Sequence, residues 1–393
     1  MLNILISSFD MEIGGVERSL ISMLNNFDYD NYKIDLMLYS HTGDFMNFLP
    51  KGPNLLEEDK NYKTFRMSIK DVFKCGKIKI GLARILAKLK ANRSGEGEIG
   101  YIQMQYMWKY ALTFLPNCNK KYDVAISYLW PHYYVAEKVR AKKKIAWIHT
   151  DYSVIKTDVK LDLEMWNKFD YIMAVSEECK NSFIKKYPSL IEKVKVMENI
   201  TSPEFIKERA KESIENYILQ DKSFKLVSVA RLSHAKGIDN AVKALRILHD
   251  RGFTNIKWYV VGYGGDEDLI RNLIKENNLE KSFILLGKRT NPYPYMKIAD
   301  IYVQPSRYEG KAVTVTEARI LGRPTIITNY PTAKSQLTDG VDGIICESSI
   351  DGIAKSIEDL YKNYELREKI NINCKNINYG NTYELEKLYK LFK

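Results

Sequence analysis

Short apolar runs ending in small or polar residues alternate with stretches of helical spacing along most of the chain. Residues 2–8 are apolar enough for a buried first strand, and residues 16–24 carry the spacing of an amphipathic helix. Further strands are predicted over 32–39, 122–127, 145–151, 170–177 and 194–197, with Ser176 capping the helix that follows the fourth of these. The second half repeats the pattern. Strands are predicted over 224–230, 258–261, 283–288, 301–303 and 325–328, with a turn and short strand over 339–345 and an amphipathic helix over 238–248. Strand, turn and helix in alternation predict an α/β fold with parallel sheets. A length of 393 residues is long for one core and suits two such domains. Residues 198–203, Glu-Asn-Ile-Thr-Ser-Pro, read as the linker, which divides the chain into 1–199 and 200–377. Residues 383–392 have helical spacing.

Candidate chemistry gathers at predicted strand ends, where parallel α/β sheets place their ligands. Glu309 follows the strand over 301–303, and Glu317 stands eight residues later, too far for both carboxylates to share one atom. Two acids so spaced suit two ends of an elongated ligand. Between them lie Gly310, Lys311, Ala312 and Val313, and then Thr314-Val315-Thr316. A β-branched run is a poor helix start, so something other than propensity selects it. A helix beginning there offers unpaired N–H groups to a phosphate. Arg231 and Lys236, five residues apart after the strand over 224–230, suit a diphosphate clamp. Gly14-Gly15, between first strand and first helix, can bring backbone amides close to a phosphate. Gly262 and Gly264 are candidate nucleotide-binding positions; Glu267 occupies the third glycine of a dinucleotide fingerprint, which argues against a nicotinamide enzyme.

The segment Ser306-Arg307-Tyr308-Glu309-Gly310, with Glu317-Ala318 and Gly322-Arg323-Pro324, resembles the Glu-x7-Glu signature of retaining glycosyltransferases of family 4. That resemblance implies the GT-B fold: two Rossmann-like domains facing each other across a cleft, with a C-terminal helix (378–393) crossing back to the N-terminal domain. It implies that Glu309 faces the donor sugar and Glu317 the ribose. It assigns the leaving diphosphate to Arg231 and Lys236, the cleft beside it to Gly14 and Gly15, and donor sugar and phosphate to His149. Lys288 and Arg289 fall where relatives hold the base. The first domain is then the acceptor side, with Asp151 a candidate there, and the second the nucleotide-sugar side. The implied reaction is transfer of a sugar, with retention, from a UDP-sugar or GDP-sugar to a hydroxyl of a lipid-linked or polysaccharide glycan. No cofactor and no metal are expected, because cations already cover the phosphates. Lys311, Ala312 and Val313 depart from the family pattern, which leaves the sugar open. A nucleotide-sugar epimerase or phosphorylase of the same fold, and a non-catalytic membrane- or nucleic-acid-binding protein, remain as alternatives.

Composition narrows the partners. Hydrophobic and charged shares of 45% and 28% are those of a globular protein. The five cysteines show no paired spacing, which fits a reducing, cytoplasmic compartment. The first apolar run breaks at Asp10 with no basic region before it, so no signal peptide is expected. The net charge of +11 is concentrated in residues 60–93, where eleven basic residues are opposed only by Asp71 and interleaved with apolar ones. One or two basic amphipathic helices are predicted, either packed on their own domain or lying on an anionic membrane surface. No nucleic-acid module is recognisable. The second option places the protein peripherally at the inner face of the cell membrane.

Overall fold

The computed structural model describes residues 1–93, 100–153, 155–309 and 312–392. The chain divides into two compact units, Met1–Thr201 with Asn381–Lys393, and Ser202–Gly380.

Among the described residues the first unit holds a seven-stranded sheet: β1 (Leu2–Ser8), β2 (Tyr32–Leu38), β3 (Asn54–Leu55), β4 (Lys121–Ser127), β5 (Arg140–Ile148), β6 (Tyr171–Ala174) and β7 (Val194–Val196). Their order is β3-β2-β1-β4-β5-β6-β7, and every pairing is parallel. The chain runs outward from β1 to β3 and then returns to β4, so the order reverses between β1 and β4. β5 starts at Arg140, five residues before the sequence expectation, because Arg140 to Lys144 extend the ladder against β4 from Lys121↔Arg140 onward. The lysines there satisfy carbonyls: Lys143 Nζ donates to Leu391 O at 3.0 Å and Lys144 Nζ to Ala136 O at 2.8 Å. The last helix, Leu385–Phe392, belongs to this unit. Tyr389 stacks on Tyr32, and its hydroxyl accepts the Asp28 N–H at 2.9 Å.

The basic segment forms a 3-10 turn (Tyr62–Arg66) and helices Ile69–Lys74 and Ile78–Asn92. The longer helix buries Ile80, Ala83, Ala87 and Ala91 and leaves Ile78, Leu82, Leu86 and Leu89 exposed. Apart from Ile80, its small residues thus face the protein and its large apolar ones face solvent. Helix Gly100–Ala111 places Trp108 in the core, stacked on Phe65. Among the described residues no helix is long and apolar enough to cross a membrane.

The second unit holds β8 (Phe224–Val229), β9 (Ile256–Val261), β10 (Phe283–Gly287), β11 (Ile301–Gln304), β12 (Thr325–Thr328) and β13 (Ile344–Cys346). Their order is β10-β9-β8-β11-β12-β13, again all parallel. The reversal falls between β8 and β11. Apolar strands buried on both faces explain the continuous rather than alternating sequence runs. Both units are doubly wound α/β sheets, the architecture of the GT-B class, and the loops beyond β8 and β11 are where such a sheet binds its ligand.

Candidate active site

The two loops at the β8/β11 reversal are tied together by three fixtures. Gly237 adopts φ +63°, and a Cβ there would lie 2.0 Å from Pro305 O. Arg307 N–H donates to Ala235 O at 2.8 Å, and its guanidinium grips Asp239 with two bonds of 2.8 and 2.6 Å. Burial pushes the Asp239 carboxyl up, but the bonds from Arg307 win and hold it below the ordinary range. Replacing Gly237 with alanine therefore combines a left-handed backbone with a backbone clash. The variant is expected to lose more than about 2 kcal/mol of stability, read as a lower urea midpoint; an unchanged midpoint would refute this account of the loop.

These fixtures bring Lys236 to Glu309. Lys236 Nζ donates to Glu309 Oε1 at 2.7 Å and to Oε2 at 2.6 Å. Glu309 Oε1 also accepts from Ser306 Oγ at 2.7 Å and Gln304 Nε2 at 3.1 Å. Arg231, two residues past β8, is exposed. The helix expected after Glu309 is present as Val313–Ile320. Its β-branched first turn is used rather than tolerated: Val315 is fully buried and Thr314 Oγ1 donates to Gln304 Oε1 at 3.2 Å. Glu317 is 1% exposed, and its Oε1 accepts from Tyr293 OH at 2.9 Å. Two residues along, the buried pair Arg319–Asp342 at 2.7 Å pins the same helix.

Other candidate positions are less open than the sequence suggested. Ala312 is buried, and its N–H donates to Gln336 Oε1 at 3.0 Å. Val313 is exposed. Gly310 and Lys311 lie outside the described residues. Gly262 and Gly264 are required by the packing of the chain: a Cβ on them would lie 1.8 Å from Ala230 O and 2.2 Å from Leu232 O. Lys288 Nζ sits 5.8 Å from the centre of the Tyr263 ring, and Arg289 donates to Glu215 at 2.6 Å. Among the described residues no cluster of three or more His, Cys, Asp or Glu side chains could hold a metal.

In the first unit, Gly14 precedes helix Gly15–Asn25 in extended backbone, and a Cβ on it would fall 2.1 Å from Glu17 Oε2. Glu17 is buried, and that burial raises its pKa. Space around Gly15 is open. His149, just past β5, pairs Nε2 with Tyr128 O at 2.9 Å, while its Nδ1 is buried without a partner. The carbonyl can only accept, so Nε2 carries the proton and Nδ1 is the acceptor. Burial pushes its pKa down to about 4, so the ring is neutral at physiological pH. Beside it lies a cavity of about 60 Å³ lined in part by Tyr101, Trp130, Thr150 and Tyr152. Asp151 turns back on its own loop, accepting from Ser153 N–H at 2.8 Å.

The two buried histidines make a stability prediction. His132, fully buried against Trp166, is pushed down to about 3, mainly by desolvation. Both histidines bind protons in the unfolded chain from pH 6.5 downward but not when folded. Stability is therefore lost as pH falls from 6.5 toward 4, by about 1.4 kcal/mol per pH unit for each histidine. Asp162, raised to about 6 by burial, acts oppositely below pH 6 and offsets about one of them. Urea midpoints at pH 5 and 7 check this; a flat profile would contradict it.

The structure thus joins Lys236 with Glu309 and sets Glu317 on the helix that follows. Sequence reasoning gave no role to Gln304, Ser306, Arg307, Tyr293, Thr332 or Gln336, which position these groups. A glutamine closing an apolar strand, and an arginine two residues before the first glutamate of Glu-x7-Glu, were the available signals.

Residues 209–377 match the family described as glycosyl transferases group 1. An uncharacterized glycosyltransferase of Methanocaldococcus jannaschii is 28% identical over 272 residues, 62% of this chain and 66% of that protein. The Campylobacter jejuni N-acetylgalactosamine-N,N'-diacetylbacillosaminyl-diphospho-undecaprenol 4-alpha-N-acetylgalactosaminyltransferase is 27% identical over 213 residues, 52% of this chain and 56% of its own length. The matches to these and two further curated relatives span 40% to 66% of those proteins' lengths. Among solved structures, Anabaena HepE in complex with UDP-glucose aligns with a TM-score of 0.66 at 16% identity, covering 99% of this chain and 100% of that one. Staphylococcus aureus TarM aligns with a TM-score of 0.68 at 14% identity, covering 100% of each chain. The Lys236–Glu309 site lies inside the region that matches glycosyl transferases group 1, and the chain, with its two doubly wound sheets, has the GT-B fold.

Proposed function

We propose that the protein is a retaining, metal-independent hexosyltransferase that moves a sugar from a nucleotide-diphosphate sugar, a UDP-sugar first, to a hydroxyl of a glycan acceptor. The observation that carries this reading is the meeting of Lys236 with Glu309 at the β8/β11 reversal, beside the exposed Arg231. Charge builds on the leaving diphosphate as the glycosidic bond breaks, so fixed cations and N–H dipoles aimed at it supply the main catalytic effect. Arg231 and Lys236 fill that role, Glu309 orients the sugar hydroxyls and Glu317 the ribose. Lys288 and Arg289 border the base. In this scheme the leaving phosphate accepts the proton of the incoming hydroxyl on the same face, so no dedicated base is needed. Within the first unit, His149 and the Gly14-Gly15 turn are the positions proposed to meet the donor.

The acceptor reading draws support from the relatives' names. They include the diphospho-undecaprenol transferase above, a Staphylococcus aureus poly(ribitol-phosphate) alpha-N-acetylglucosaminyltransferase, and the capsular polysaccharide biosynthesis glycosyltransferase CapM. A lipid-linked or cell-envelope polysaccharide acceptor follows, with the protein working in the cytoplasm at the membrane surface. Helix Ile78–Asn92 supports that site: its exposed Ile78, Leu82, Leu86 and Leu89 stand among lysines and arginines. Each cation near an anionic surface contributes about 1 kcal/mol.

Incubation with a panel of UDP- and GDP-sugars, with and without undecaprenyl-linked glycans, tests the reaction. Acceptor-dependent release of nucleotide is expected. Conversion of donor alone to an isomeric nucleotide sugar would mean an epimerase, and no turnover with any donor would oppose the enzyme reading. Substituting Leu82, Leu86 and Leu89 by Ser is expected to weaken binding to vesicles containing phosphatidylglycerol while sparing donor hydrolysis; equal loss of both would make the helix structural.

A further inference from the structure

We propose that Lys236 rests on Glu309 until an arriving nucleotide diphosphate takes the lysine away, while Gln304 and Ser306 keep the carboxylate in place. The proposal rests on the donor-site reading above. In the structure the ammonium spans both carboxylate oxygens, at 2.7 and 2.6 Å. The two neutral donors, Ser306 Oγ at 2.7 Å and Gln304 Nε2 at 3.1 Å, both land on Oε1. When Lys236 departs, Oε1 keeps its two hydrogen bonds and Oε2 is released to a new donor. A sugar hydroxyl is such a donor. One movement of a lysine therefore serves two ends: it brings charge to the leaving group and uncovers the oxygen that orients the sugar.

Gln304 is built to survive that exchange. It is 1% exposed, and its amide orientation is fixed from both sides. Its Oε1 accepts from Tyr302 OH at 2.7 Å and Thr314 Oγ1 at 3.2 Å, while Nε2 donates to Ser306 Oγ at 2.9 Å and to Glu309. A flipped amide would turn its NH₂ toward the two hydroxyls and its oxygen toward a carboxylate. The backbone beneath Glu309 is held as well, because Thr332 Oγ1 donates to Glu309 O at 2.9 Å. Lys236 is freer: its side chain is 27% exposed, against 7% for Glu309. A diphosphate brings at least two negative charges against the single one of Glu309, so the competition favours the ligand. Gln304 and Ser306 are thus positioning residues, acting through Glu309.

Calorimetric titration with UDP, and with GDP, of the full chain and four variants tests this. Glu309→Gln is expected to bind the nucleotide about five- to tenfold more tightly than the parent, because Lys236 is no longer occupied, although turnover is lost. In a Lys236→Met background the same change is expected to give less than a twofold gain. Gln304→Leu is expected to leave nucleotide affinity within twofold and donor KM nearly unchanged, while kcat falls about tenfold or more. Equal or weaker nucleotide binding by Glu309→Gln would overturn the exchange, as would an undiminished gain in the Lys236→Met background. A Gln304→Leu variant losing nucleotide affinity in step with kcat would overturn the positioning role. Binding of neither nucleotide to the parent chain would instead defeat the donor-site reading itself.

Discussion

Lys236→Met is expected to lower turnover by about 10²- to 10³-fold, the usual order for removing one group that stabilises charge in a transition state. The affected charge is on the leaving diphosphate, so kcat should fall much more than donor KM rises. Loss of the ammonium also leaves Glu309, largely buried, with only its neutral donors from Ser306 and Gln304. A Lys236→Met/Glu309→Gln double variant separates misfolding from lost chemistry: it should match the parent's urea midpoint more closely yet remain inactive. Lys236→Arg should rescue poorly, because a planar fork does not replace a point charge spanning two oxygens. Steady-state kinetics with the best donor decide it. Turnover within threefold of the parent would remove Lys236 from the mechanism.

Glu317→Ala is expected to weaken nucleotide binding about 10- to 100-fold, since a hydrogen bond to a charged group contributes about 1.5–3 kcal/mol. Here the effect belongs to binding, so donor KM and UDP affinity should move together while kcat with saturating donor changes little. Tyr293→Phe removes the hydroxyl bonded to Glu317 Oε1 and should show a smaller loss of the same kind. A 2′-deoxy or 3′-deoxy donor should lose affinity with the parent chain but little further with Glu317→Ala. Equal discrimination by both proteins would show that Glu317 does not meet the ribose.

Much of this arrangement was legible in the chain itself. Continuous apolar runs over β1, β8 and β11 announced buried parallel strands, because a strand covered on both faces has no polar side to show. The Glu-x7-Glu spacing identified the helix after Glu309 despite its poor propensity. Tertiary burial of Val315 and the Thr314–Gln304 bond supply what propensity lacks. β3 was illegible: its two residues, Asn54 and Leu55, are exposed and pair only with β2. Arg140 to Lys144 hid the start of β5 because lysine and arginine reach sideways to carbonyls while their backbone remains in the ladder. The supports of the site were hidden for a different reason. Arg307 meets Asp239 from 68 positions away, and Thr332 holds the Glu309 carbonyl from 23 away, so no local pattern reveals either. The Gly-x-Gly turn has a packing reason that the sequence did not show. Its glycines admit the neighbouring loop after β8 at a distance that no Cβ would allow.

A crystal of the protein soaked with UDP examines the central idea without intermediary. The diphosphate is expected at the β8/β11 reversal, its oxygens about 3 Å from Arg231 and Lys236, with the ribose turned toward Glu317 and Lys236 Nζ drawn off Glu309. A nucleotide bound away from those side chains would contradict it.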